Sequence, residues 1–156
     1  MAIDKVRKYF EKYKIEDKII EFPTSSATVE LASIALNTEP ARIAKTLSFI
    51  VNNKPILIVM AGDTRIDNNK YKSYFKTKAK MIPKELVEKL VGHDIGGVCP
   101  FAINNDVSVY LDISLKRFNT IFPACGSGNS AIELTCDELQ KYSNYISWID
   151  VGKNDN

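Results

Sequence analysis

Apolar and polar positions alternate along this chain in ways that predict its elements. Ile3, Val6, Phe10 and Tyr13 recur at spacings of three and four behind Asp4, which predicts an amphipathic helix over 3–13. KIIEF (18–22) reads as a short strand stopped by Pro23. Thr28 is placed to cap a helix over VELASIALN, with Leu31, Ile34 and Ala35 on one face. Pro40 opens a single helical turn. TLSFIVNNKPILIVMAG holds two β-rich runs joined by Asn-Asn-Lys-Pro, a hairpin signature. Asp67 caps a helix over 68–75 that sets Tyr71, Tyr74 and Phe75 at i, i+3 and i+4. AKMI is a short strand, and Pro83 starts a helix through Val91 with Leu86, Val87 and Leu90 inward. SVYLDI, NTIFPA and SAIEL read as strands. Thr135 caps a helix over CDELQKYS, and ISWIDV is a last strand.

Short strands outnumber helices, and hairpins mix with longer connections. The expected class is α+β, a curved mixed sheet or partly closed barrel with helices outside. At 156 residues the chain suits one domain with one core, taken as 1–156. No apolar run approaches the ~20 residues of a membrane span. Cys99, Cys125 and Cys136 are odd in number and carry no CxxC, which suits reduced thiols of the cytoplasm. The formal charge of +2 does not by itself argue for nucleic acid, but the distribution does. Seven basic residues lie between Arg65 and Lys84 against one acid, Asp67.

Four features carry candidate chemistry. VGHDIGGVCPFA (91–102) holds the only histidine, His93, close to Cys99. Paired, they would make a thiolate nucleophile, but no third group orients them. One His and three isolated Cys supply a zinc site poorly, so no metal and no cofactor are expected. Gly92 sits where a helix C-cap glycine belongs. Gly96-Gly97 suits a backbone that brings N–H groups close to a ligand, and CGSGNSAIEL (125–134) offers a second such loop or a plain turn. Lys45, at a helix-to-strand junction, reads either as a snorkelling lysine or as an anchor for a phosphate. In NNKYKSYFKTKAK (68–80), aromatics at helical spacing would face the core, and Lys72, Lys76 and Lys78 read either as a plain solvated face or as lysines resting on RNA.

Taken together, RIAKTLSFIV, GHDIGGVCPF and CGSGNSAIELT resemble the YbaK/EbsC family, the prolyl-tRNA synthetase-associated domain. The resemblance runs from about Phe22 to about Val151 in the family's motif order. It implies a freestanding aminoacyl-tRNA editing deacylase that hydrolyses the ester of a mischarged tRNA, commonly tRNA for proline. Mischarged tRNA would be the partner, with prolyl-tRNA synthetase a second one and no membrane. By the resemblance Lys45 would hold the phosphate of the terminal adenosine. Gly92 and Gly96, on a GxxxG pattern, would fix the aminoacyl group through their backbone, and Gly97 would let the chain pass close. Phe22, His93, Cys99, Pro100, Phe101, Gly126, Ser127, Asn129 and Ser130 are expected against the substrate. No side chain is an obvious general base, so backbone dipoles would stabilise the oxyanion. Many members carry Ser-Pro where this chain has Cys99-Pro100 and Gly where it has Ala102. Thiol-specific members have Ser near Ala124 and Lys-Arg-Gly at Ser127-Gly128-Asn129. These departures leave Cys, Ala, Ser or Thr open as the amino acid removed. A non-catalytic tRNA- or nucleotide-binding module on the same scaffold is the competing reading.

Overall fold

The structure is a computed structural model that describes residues 2–154. Helix α1 (Ala2–Glu11) buries Val6 and Phe10, as the spacing requires. Strand β1 (Ile20–Glu21) is short, and α2 (Val29–Leu36) follows its cap, where Thr28 Oγ1 accepts the Leu31 N–H. A 3₁₀ turn at Pro40–Arg42 leads into β2 (Ile43–Val51), which turns back into β3 (Lys54–Ala61). Asn52 and Asn53 both take positive φ, 52° and 66°, the backbone of a two-residue I′ hairpin turn. After β4 (Thr64–Ile66), α3 (Asn68–Phe75) starts where the Asp67 carboxylate accepts the N–H groups of Asn69 and Lys70. Helix α4 (Lys84–Val91) ends in Gly92 at φ +107°, a left-handed C-cap that any Cβ would strain. Strands β5 (Ser108–Asp112), β6 (Phe122–Pro123) and β7 (Ser130–Ala131) precede α5 (Cys136–Tyr142). Strands β8 (Ser147–Ile149) and β9 (Gly152–Asn154) close the described chain.

The main sheet runs β6-β2-β3-β5-β8, curled into a half-barrel. β2 and β3 are antiparallel, and every other neighbour pair in it is parallel. Its centre is β3, apolar at successive positions because both faces are covered. Leu57, Val59 and Ala61 point into a core made with α1, α4 and α5. Ile56, Ile58 and Met60 point into a second core with Phe49 and Tyr71 of α3. The expected α+β class with a curved mixed sheet holds.

Three local expectations change. In α2 the inward positions are Ala32 and Ser33, while Leu31 and Ile34 are exposed. Ala32, with Val29 and Leu36, packs against Ile43 of β2 and Phe122. In α4 Val87 and Val91 are buried and Leu86 is exposed. AKMI makes a single bridge, Met81 to Phe49, where a strand was expected, and Lys80 O and Ile82 N bond β2 on either side of it. β4 and β9 had no reading from the sequence. They pair with each other beside Lys70, whose Nζ bonds Gly152 O and Asp150.

The capping box on α5 is complete: Thr135 Oγ1 accepts from Glu138 N and Glu138 Oε1 accepts from Thr135 N. Thr135→Ala should lower the unfolding free energy by about 1 kcal/mol, read from urea midpoints at unchanged m-value.

Candidate functional site

Lys45 lies on β2 opposite Met60, half-buried, with its Nζ 3.5 Å from the carbonyl oxygen of Gly62. It lines a cavity of about 200 Å³ with Thr46 and Leu47 of the same strand. The cap and first turn of α2 (Thr28, Val29) form another wall, so the positive end of that helix faces the cavity. Gly96 and Val98 supply a third wall, and Ala124, Ser130 and Ala131 a fourth. The lining is largely small or apolar, with one cation and a few hydroxyls. Such a pocket suits a small apolar group next to an anion.

The two glycine loops meet backbone to backbone. A Cβ on Gly97 would lie 2.4 Å from Gly126 C and from Ser127 N, closer than any real side chain sits. Gly97 N–H also bonds Asp94 O, closing the 3₁₀ turn Ile95–Gly97. The second loop is fixed by its own side chains: Ser127 Oγ lies 2.9 Å from Asn129 Oδ1 and 2.8 Å from Ser130 Oγ. The chain just before α2 completes the clamp. Ser26 N donates to Gly128 O, Phe22 N to Asn129 O, and Asn129 Nδ2 to Phe22 O.

Gly96 also lines a second, wider cavity of about 570 Å³ with Lys5, Glu88, Gly92, Asp94, Gly97 and residues 126–129. Sharing a hydrogen bond with Asp94 holds the Glu88 carboxyl above its usual range. The turn 95–97 is therefore a partition between two spaces.

The structure brings Lys45, Gly96 and Ser130 to one cavity, and Gly92, Gly97, Gly126, Ser127 and Asn129 to its neighbour. Other expected substrate contacts lie elsewhere. His93, Cys99 and Phe101 are each 0% exposed, so they present no surface to a ligand. Phe22 acts through its backbone on Asn129, and Pro100 is buried beside a third cavity with Tyr9 and Lys12. The Cys–His pair does form, Cys99 Sγ 3.5 Å from His93 Nε2, but burial pushes the thiol up to about 12 and the imidazole below its ordinary value. That is the reverse of an activated nucleophile. Among the described residues no three His, Cys, Asp or Glu side chains converge as metal ligands. Lys72, Lys76 and Lys78 are exposed along and just beyond α3. That helix covers the sheet face bearing Leu47 and Phe49, the face onto which Lys45 also projects by strand alternation. Four residues of strand, ~13 Å, separate Lys45 from Phe49.

Sequence reading missed the wall Ser26–Val29 and the part played by Thr46, Val98 and Ala131. The run TSSAT (24–28) was the available signal, small polar residues ahead of a helix cap.

The model of the aminoacyl-tRNA editing domain family matches residues 24–142. The "Uncharacterized protein YwhH" of Bacillus subtilis is 52% identical over 155 residues, covering 98% of each chain. The Enterococcus faecalis protein EbsC, a candidate Cys-tRNA(Pro)/Cys-tRNA(Cys) deacylase, is 27% identical over 138 residues, 86% of this chain and 84% of its own. Proline–tRNA ligase of Aquifex aeolicus is 32% identical over 109 residues, 67% of this chain and 19% of the ligase. A solved structure of a candidate trans-editing enzyme for prolyl tRNA synthetase superposes with a TM-score of 0.87 at 25% identity, over 98% of both chains. Among the described residues no helix is long and apolar enough to cross a membrane.

Glycine substitutions separate packing from cavity shape. Gly97→Ala drives a methyl into the peptide of Gly126–Ser127 and should cost about 3 kcal/mol or prevent folding. Gly96→Ala meets Ala27 Cβ at 3.5 Å and Gly128 Cα at 3.8 Å, ordinary contacts, and should stay within about 0.5 kcal/mol of the parent while narrowing the cavity. Thermal and urea unfolding of the two variants reads the contrast.

Proposed function

The chain belongs to the aminoacyl-tRNA editing domain family, and from that premise we propose that it is a deacylase acting in trans on mischarged tRNA. The substrate is tRNA for proline carrying a small wrong amino acid. The observation that carries this reading is the small cavity in which the half-buried Lys45 shares walls with the backbone of Gly96.

The need for such a reaction is energetic. A synthetase pocket rejects a slightly smaller amino acid by only ~1–3 kcal/mol, so a second site must remove the error. Lys45 holds a phosphate of the tRNA 3′ end, which sets the ester against the glycine loop. The walls Ala27, Val29, Ala32, Ala124 and Ala131 leave room for a small side chain. Water attacks the ester carbonyl, and the backbone of residues 96–98 and the end of α2 stabilise the oxyanion. Collapse breaks the C–O bond, the ribose oxygen takes the proton, and amino acid and tRNA leave. Catalysis of this kind needs no side-chain nucleophile, which suits a site whose only thiol–imidazole pair is buried. Exposed Lys72, Lys76 and Lys78 neutralise phosphates of the tRNA body. Similarity to the solved trans-editing relative over 98% of both chains, and to EbsC over 84% of its length, supports action in trans.

Two measurements test this. Pure protein should hydrolyse Ala-, Ser- or Cys-charged tRNA for proline. Lys45→Ala should lower kcat/KM about 10- to 100-fold with unfolding unchanged, the loss of one charge-assisted contact. Full activity in that variant removes Lys45 from the site. Salt-dependent binding without turnover on any charged species would leave a binding module. Reversing Lys76 and Lys78 to Glu should weaken tRNA binding and flatten its salt dependence, with a slope smaller by about two or more. Hydrolysis of a small ester analogue should not change. Equal loss of both would make the segment structural.

A further inference from the structure

His93 and Phe101 close a loop on itself. His93 Nε2 lies 2.6 Å from the Phe101 carbonyl oxygen. A carbonyl only accepts, so the ring must carry its proton on Nε2. Nδ1 is buried with no hydrogen-bond partner, so no acceptor stands there for a second proton, and burial disfavours the charged ring. The ring is therefore a neutral donor used at one end. Cys99 lies under the same bond, its Sγ 3.5 Å from Nε2 and 3.7 Å from Phe101 O.

The bond spans residues 93–101, and the turn Ile95–Gly97 sits inside that span. This stretch belongs to no strand ladder. Its backbone is tied at Gly97 N to Asp94 O inside the span, and at Asn104 N to Val91 O outside it. Lys5 Nζ, from α1, bonds Gly92 O at the entry to the loop. The turn so held is the partition between the two cavities. A buried general base is excluded by access, because the ring has no exposed surface. The ionisable groups around the ring are Lys5 from α1, Asp94 beside it with Glu88 of α4, and Cys99 across it.

We propose that His93 is a positioning residue of this site: its neutral imidazole clasps the Phe101 carbonyl and fixes the Ile95–Gly97 turn between the two cavities. The catalytic consequence rests on the deacylase reading above, but the clasp itself does not.

The chain has one histidine, so its imidazole nitrogens can be observed without assignment. In ¹⁵N-labelled protein at neutral pH, the expected signature is the Nε2–H tautomer. An Nδ1–H tautomer or an imidazolium overturns the proposal, whether or not any variant folds. Two variants then separate the bond from the volume. His93→Leu fills the space without a donor, and His93→Gln restores an N–H. Amide hydrogen exchange at residues 95–98 should speed up about tenfold or more in His93→Leu while β3 keeps its protection. His93→Gln should return most of it. Unchanged loop exchange in His93→Leu, with β3 intact, overturns the clasp. In deacylation, His93→Leu should lose kcat at nearly unchanged KM and His93→Gln should recover it. If exchange behaves as stated and even the parent hydrolyses no charged tRNA, the clasp stands and the deacylase reading falls.

Discussion

Strand β3 must be buried on both faces, and the rest of the molecule is arranged to meet that condition. Seven successive positions from Pro55 to Ala61 are buried, and from Ile56 onward they alternate between two cores. A sheet covered on both sides needs helices on both sides. α1, α4 and α5 serve one face, and α3 with the β4–β9 ribbon serves the other. Beyond β2, toward the short strand β6, that double cover gives out. There the sheet is flanked by loops and by α2, which packs with Ala32 and Ser33. The cavity forms where large side chains stop filling space.

The site follows from how loops are held without a ladder. Loops 95–97 and 126–129 cannot bond as strands do, so they pack peptide against peptide at Gly97, and hydroxyl and amide side chains pin the remainder. Fixed dipoles of this kind suit a charge that exists only briefly, since they need no reorganisation when it forms. Lys45 differs in kind from these dipoles, a permanent charge on the wall of the smaller cavity. Its strand position keeps it rigid, with its backbone in the β2–β3 ladder at Met60.

Much of this was legible in the chain. Thr28, Asp67 and Thr135 were readable as caps because capping is local chemistry, and the Asn52-Asn53 turn for the same reason. The inward face of α2 was not, because hydrophobicity pointed to Leu31 and Ile34. Its packed positions are instead Ala32 and Ser33, with Val29 and Leu36 beside Ile43 and Phe122. β4 and β9 escaped because their pairing is long-range and their residues, TRI and GKN, carry no alternation to detect. At the site, Lys45 and the glycines stood out by type. Ala27, Thr46 and Ala131 did not, because a small residue lining a cavity looks like a small residue anywhere.

The Cys99–His93 pair shows why adjacency in sequence is poor evidence for chemistry. To act as a dyad the two would have to exist as thiolate and imidazolium. Both sit wholly out of solvent, where forming an ion pair costs several kcal/mol of desolvation per charge before any attraction returns it. Burial moves each group the wrong way, the thiol up and the imidazole down. The neutral pair is therefore the stable one, and neutrality is what a strut requires. A protonated ring would place a charge at Nδ1, where no partner stands. The same burial that disqualifies His93 as a base qualifies it to hold the turn still.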